Sequence, residues 1–155
     1  MRRKDREIKD FGRVLEIIRE CDCCRLGLVD AGEAYVVPMN YGYEYAGGKL
    51  TLYFHCAREG RKIDLIPSQK RVFFEMDGKH ALAAGNHSDE YTFLYQCVMG
   101  YGRLEIIEDE AERQHGLQKL MEHYVDGRSW DFRPELMERV HVLKLSVYKW
   151  SCKEH

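Results

Sequence analysis

Leu52-Tyr53-Phe54-His55-Cys56-Ala57-Arg58-Glu59-Gly60-Arg61-Lys62-Ile63-Asp64-Leu65-Ile66 changes character twice within one short run. It begins as an apolar segment suited to a buried strand. It breaks into a loop around Gly60 and resumes with Ile63 and Ile66 three apart, a short helical spacing that Pro67 stops. Strand, glycine and helix start together can hold a phosphate, because backbone N–H groups and the positive end of the helix dipole face outward there. Arg58, Arg61 and Lys62 surround the break, and Arg supplies a planar fork of donors where Lys supplies a point charge. The same three cations also suit a plain solvated face, and spacing alone does not separate the two.

Toward the N-terminus, Phe11, Val14, Leu15 and Ile18 fall at helical spacing, which predicts a helix over residues 10–20 with Asp10 as N-cap. Cys24, Leu26 and Leu28 alternate in a strand over residues 23–29. Residues 30–33 read as a turn, and a second strand runs over residues 34–45. Pro38 interrupts it and, lacking an N–H, belongs at an edge or bulge. Tyr41, Tyr43 and Tyr45 suit one packed face of that strand. Ala46-Gly47-Gly48-Lys49 is a hairpin turn that leads into a third strand over residues 50–55.

Toward the C-terminus, a short helix over residues 61–66 precedes a strand over residues 71–77, with Val72, Phe74 and Met76 on one face. Residues 78–90, rich in Gly, His, Asn and Asp, read as a loop. Residues 91–108 read as one long strand or a bent pair, where Gly100 and Gly102 mark a bulge or a close approach. A helix over residues 109–125 carries Leu117, Leu120, Met121 and Tyr124. A loop over 126–134 holds Trp130, and a helical turn follows at 135–138. The last strand, over 140–150, alternates Leu143, Leu145 and Val147, with Val142 on neither strict face. Many strands, tight glycine turns and few helices predict a mainly β fold. The expected form is a closed or split barrel of six or seven antiparallel strands with flanking helices, in one domain over residues 1–155.

Composition narrows the function classes. The 155 residues carry 24 basic and 26 acidic side chains, a net charge of −2, which gives no general attraction to nucleic acid or anionic membrane. No apolar run reaches membrane-spanning length, and no apolar signal core follows the basic Met1-Arg2-Arg3 start, so a cytoplasmic location is expected. Six irregularly spaced cysteines in such a chain predict free thiols. Cys21, Cys23 and Cys24 cluster, but no second ligand pair stands apart from them, so no metal site is expected. His80 and His87 read as loop histidines, and His115 and His123 as surface or packing residues.

Three segments carry a resemblance that covers nearly the whole chain. Phe54 to Lys62 is similar to the phosphate-binding turn of the FMN-binding split-barrel superfamily, which includes pyridoxamine 5′-phosphate oxidase. In that turn a small residue precedes Arg-Lys and a helix with Leu, as in Gly60-Arg61-Lys62 and Leu65. Val37-Pro38-Met39-Asn40-Tyr41-Gly42-Tyr43 and Val98-Met99-Gly100-Tyr101-Gly102 follow the same family order. The pattern most resembles the branch of nitroimidazole-resistance proteins.

The resemblance implies a split barrel that binds FMN between two subunits of a homodimer. It implies that Pro38, Met39 and Asn40 lie beside the flavin ring, with backbone groups of Met39 and Asn40 on the ring's polar edge. It implies that Phe54, His55, Cys56 and Ala57 form the strand end beside flavin or phosphate. Gly60, Arg61 and Lys62 would hold the phosphate, and Gln96, Cys97 and Val98 would reach the site across the dimer interface. His55 can equally be a satisfied core histidine, since the sequence does not fix its direction.

No Gly-x-Ser-x-Gly elbow, Walker loop or His-Glu-x-x-His motif occurs, so hydrolase and kinase readings lack support. The basic substrate residues of the pyridoxamine oxidases have no match in the tail after Lys149. The resemblance implies an FMN-dependent oxidoreductase acting on a small, nitroaromatic-type acceptor; beside it stand a flavin or heme binding module without turnover and a structural homodimer with a vestigial pocket. No residue is singled out as catalytic, and neither electron donor nor acceptor is named by the sequence.

Overall fold

A computed structural model describes residues 3–125, 127 and 129–155. Met1 and Arg2 of the basic N-terminal segment, and Asp126 at the start of the expected loop over 126–134, lie outside the described residues. Strands are β1 (Glu7–Ile8), β2 (Cys24–Asp30), β3 (Glu33–Met39), β4 (Gly42–Ala46), β5 (Lys49–Ala57), β6 (Val72–Ala83), β7 (Thr92–Ile106) and β8 (Val140–Glu154). Helices are α1 (Phe11–Glu20), α2 (Arg61–Leu65), α3 (Glu110–Tyr124) and α4 (Pro134–Met137). All pairings are antiparallel, in the order β3-β2-β6-β7-β8-β5-β4, with two-residue β1 added beside β8.

That order forces closure. β3 and β4 are the two ends of the path, yet only residues 40 and 41 join them. The sheet must therefore curl until its ends meet, which makes the mainly β barrel that the strand pattern predicts. The single expected strand over 34–45 is two strands for this reason: the chain leaves one end of the sheet at Met39 and enters the other at Gly42. Tyr41, in the crossing, is fully buried, and its hydroxyl donates to the carbonyls of Ile18 and Cys21.

The interior holds the alternating residues expected of it. Cys24, Leu26 and Leu28 of β2, Val72, Phe74 and Met76 of β6, and Leu143 and Leu145 of β8 are all buried in one cluster with Phe54. Each such side chain contributes about 1.5–3 kcal/mol relative to exposure. Helix α1 closes the barrel with Val14, Ile17 and Ile18, and Asp10 caps it by accepting from the Gly12 N–H. A second, smaller cluster lies on the outer face, where α3 covers Tyr53 and Val142 with Leu117. Val142 fits neither expected face because β8 is buried on both sides at that level. Gly42 lets α3 sit directly on β4: a Cβ there would lie 2.2 Å from the Lys119 carbonyl carbon.

Two boundaries differ from expectation. β6 continues through residues 78–83, which composition marks as loop. Gly78 still pairs with Gln96, a register shift follows with Lys79 at φ +51, and pairing resumes at Ala81↔Leu94. Glycine and histidine there build an irregular ribbon, not a loop. β8 likewise runs to Glu154 instead of residue 150, because β7 is one continuous long strand that offers it partners as far as Gln96.

The inner face of β7 includes Val98 in the core; the other face carries Phe93, Tyr95, Cys97, Met99 and Tyr101. Tyr101 meets Phe73 edge-on and takes Arg71 on its ring, while Tyr95 takes Lys153. These neighbours are strand residues or flank a strand. Phe93 is 54% exposed and Leu82, its pair on β6, is 65% exposed. Among the described residues no helix is long and apolar enough to cross a membrane.

Candidate functional site at the split of the barrel

β5 pairs with β8 through residues 51–57 but with β4 only through residues 49–53. From Phe54 to Ala57 it therefore has a strand on one side only. β3 pairs with β2 along its length and, among the described residues, has no strand on its other side. Continuing the β4–β5 register past its last pair, Gly42↔Tyr53, sets Asn40 level with His55 and Pro38 level with Ala57. The ladder stops before both. The split of the barrel is this gap, with Pro38, Met39 and Asn40 on one bank and Phe54, His55, Cys56 and Ala57 on the other. Proline suits the bank, since β3 is an end strand that needs no donor there.

The banks present different chemistry. Phe54 and Cys56 point into the core, and Met39 is nearly buried. His55 and Ala57 face outward and are exposed, as are Pro38 and Asn40. His55 is open to water at its surface, yet partial desolvation by the chain packed around it, and then the Lys62 ammonium, lower its pKa, which favours the neutral imidazole near pH 7. Burial raises the Cys56 thiol, with Lys62 opposing, so Cys56 is a poor nucleophile.

Beyond Ala57 the chain turns at Gly60, whose φ of +125° suits only glycine. Its carbonyl accepts from the N–H groups of Ile63 and Asp64 and starts α2. Arg61 and Lys62 leave this turn in different states. Among the described residues Lys62 forms no ion pair, and its charge is felt at His55 and Cys56. Arg61 is held by the β2–β3 hairpin. Its Nε donates to Asp30 Oδ2 at 2.7 Å, its Nη2 lies 2.7 Å from the same oxygen, and its Cζ sits 4.6 Å over the Tyr35 ring. Asp30 and Tyr35 belong to this site, and the sequence reading missed both. They stand in a hairpin that reads only as a turn and a strand, and no local pattern marks their reach to Arg61.

Gln96, Cys97 and Val98 are elsewhere. Gln96 pairs with Glu154, whereas His55 pairs with Val142, so they are roughly 40 Å apart measured along β8. Val98 is core. Gln96 is fully buried, accepting from Arg13 and donating to Glu20. Cys97 faces outward, with its thiol on Glu75 and pushed up to about 12 by burial and that carboxylate. Within one chain these three do not join the split.

All six cysteines are free. Cys21 and Cys24 are buried and their thiols are raised by burial, as small core side chains. No group of three or more His, Cys, Asp or Glu able to hold a metal occurs among the described residues. His123 is a packing residue: Nε2 donates to the Cys21 carbonyl, and its ring lies 4.4 Å from that of Tyr41. Trp130 and Phe132 border a cavity over α3 with His115, whose ring packs on Tyr53.

Known proteins share this architecture. A candidate 5-nitroimidazole antibiotic resistance protein from Bacteroides thetaiotaomicron is 33% identical, with 96% of this chain and 86% of that one aligned at a TM-score of 0.83. The flavocytochrome Anf3 from Azotobacter vinelandii is 22% identical over all of this chain and 72% of its own, at a TM-score of 0.81. A FAD and heme binding protein from Mycobacterium smegmatis is 18% identical over 96% of this chain and 73% of its own, at a TM-score of 0.80. No curated protein sequence matches the chain. The sequence signature described as pyridoxamine 5′-phosphate oxidase matches residues 10–154, so the chain belongs to the pyridoxamine 5′-phosphate oxidase family.

Proposed function

We propose that the protein is a flavin-binding protein that takes FMN into the split, and that it works as an oxidoreductase on a small acceptor of the nitroaromatic type. The observation that carries this reading is the pair of facing strand edges, residues 38–40 and 54–57, left without a ladder and followed directly by the Gly60-Arg61-Lys62 turn. A planar ring with a polar rim fits between two edges whose backbone groups lack strand partners. The donor set fits the phosphate: the Lys62 amine is unpaired among the described residues, and the Arg61 fork keeps one edge beyond the one on Asp30. When bound, the flavin supplies the electron transfer. The chain's own residues bind and orient: Lys62 and Arg61 on the phosphate, Met39 and Asn40 on the ring edge, and neutral His55 at the mouth.

The functional unit in this reading is a cytoplasmic homodimer. The outer face of β7, with Phe93, Tyr95, Met99 and Tyr101, gives the second copy an apolar surface, and Cys97 lies on that same face, whereas Gln96 points inward to Arg13 and Glu20. Phe93 is exposed and Tyr95, Met99 and Tyr101 are half-buried in the single chain, surface that a second copy would cover.

A second reading is a flavin or heme binding module without turnover. His55 favours it, because a solvent-facing neutral imidazole is a ready ligand for heme iron. It is in keeping with the flavocytochrome and the FAD and heme binding protein that share the fold. The absorption spectrum of the purified protein tests both readings. Flavin bands that bleach under anaerobic NAD(P)H and return on addition of a nitroimidazole support the enzyme. A heme band, or flavin that is never reoxidised by the acceptor, supports the module. A protein that carries no chromophore and takes up none on reconstitution overturns both.

A further inference from the structure

We propose that Asp30 and Tyr35 are positioning residues that hold Arg61 ready for a phosphate ester. This deepens the flavin reading and rests on it. Arg61 has five N–H donors in one plane. Asp30 Oδ2 takes the edge formed by Nε and Nη2, and the Tyr35 ring covers one face of the plane. The edge formed by Nη1 and Nη2 is left, and a phosphate can meet it side-on with two parallel bonds.

The hairpin is fixed to the turn at a second point. Gln69, just past α2, accepts from the Val29 N–H through Oε1 at 2.9 Å and donates to the Val29 carbonyl through Nε2 at 2.9 Å. Residues 61–69 are thus clamped to β2 and β3 at both ends, by Arg61 and by Gln69. The arrangement is more than a casual surface pair. An arginine more than half exposed would otherwise sample many rotamers, and fixing it beforehand removes that ordering from the binding step. Asp30 also offsets part of the arginine's charge. Its net effect is therefore a balance, and the double attachment with the stacked ring places that balance on the side of preorganisation.

Flavin fluorescence titrations with FMN and with riboflavin, which lacks the phosphate, test this on the full chain. Asp30→Asn is expected to weaken FMN about threefold to tenfold and to leave riboflavin unchanged, with Tyr35→Leu in the same direction. In an Arg61→Ala background Asp30→Asn is expected to do nothing more, since the carboxylate acts through that guanidinium. Asp30→Glu is expected to restore part of the FMN affinity, which a purely structural role in the hairpin would not produce. Should Arg61→Ala weaken FMN while Asp30→Asn leaves it unchanged, the positioning role is wrong. Tighter FMN in Asp30→Asn makes Asp30 a competitor of the phosphate and overturns the proposal in the opposite sense. If Arg61→Ala itself leaves FMN unchanged, the phosphate reading of the turn fails and the proposal falls with it. Circular dichroism of each variant separates these outcomes from misfolding.

Discussion

Lys62 is the sharpest point at which to press the phosphate reading. It follows Gly60 and Arg61, is half-buried, and among the described residues has no carboxylate partner. Its charge is thus available to an anion without first breaking an ion pair. Hydrogen bonds to charged groups contribute about 1.5–3 kcal/mol, and partial exposure places Lys62 at the low end. Lys62→Ala is therefore expected to weaken FMN about tenfold, at 1.4 kcal/mol per decade. Riboflavin has the ring without the phosphate, so its affinity should hold. The FMN difference should shrink as salt rises, because the site is open to solvent. The variant also has a readout that needs no flavin. Lys62 is the second cause, after burial, of the lowered His55 pKa, so its removal should move that pKa upward in an NMR titration of the ligand-free protein. Equal losses for FMN and riboflavin, or none for either, would refute the clamp. An unmoved His55 pKa would show that the ammonium does not stand where the argument needs it.

Other expectations follow from single contacts. Gly42→Ala places a Cβ 2.2 Å from the Lys119 carbonyl carbon, which is backbone and cannot turn aside, so α3 must lift at about 3 kcal/mol; an unchanged urea midpoint would contradict that packing. Burial lowers the His123 pKa from 6.5, so the unfolded chain takes up a proton that the folded one resists. Stability is thus full above about pH 6.5 and declines as pH falls below it, and His123→Gln should flatten part of that decline in melts from pH 7 to 5. Met99→Glu or Tyr101→Glu on the outer face of β7 should release a monomer near 18.3 kDa by light scattering. A wild-type protein already of that mass would remove the dimer.

Much of the fold was legible because period two survives wherever a strand has one dry face. Cys24, Leu26 and Leu28, and again Val72, Phe74 and Met76, alternate and are all buried. Asp10 was legible as a cap from its type and place, and it does cap α1. Three features were not, each for a tertiary reason. Residues 40 and 41 look like strand because Tyr41 continues an aromatic alternation, but its ring is buried by α1 and α3, not by a cross-strand pair. Residues 78–83 look like loop because they show no one-faced alternation: the ribbon is wetted on both sides, Leu82 included, and its pairing comes from β7. Val142 broke the alternation because α3 returns over β8 and dries the second face.

The site was legible as segments and not as a place. Residues 38–40, 54–57 and 60–62 stand apart in sequence, and nothing local says that the first two face each other. That follows from the sheet order. Once β3 and β4 are the two ends of one path and only two residues join them, the banks must adjoin where the β4–β5 ladder gives out. Pro38 has no N–H to offer a strand across the gap, and the exposed Asn40 lies just past the end of β3. An open pair of strand edges in water is normally a liability that invites pairing with another chain. Here the gap ends in a glycine turn carrying two cations, one without an ion-pair partner among the described residues and one held by Asp30 and Tyr35. Cations at the mouth discourage a bare strand from entering and suit a flat ring with an anionic tail. The same geometry that leaves the ladder unfinished therefore selects what can finish it.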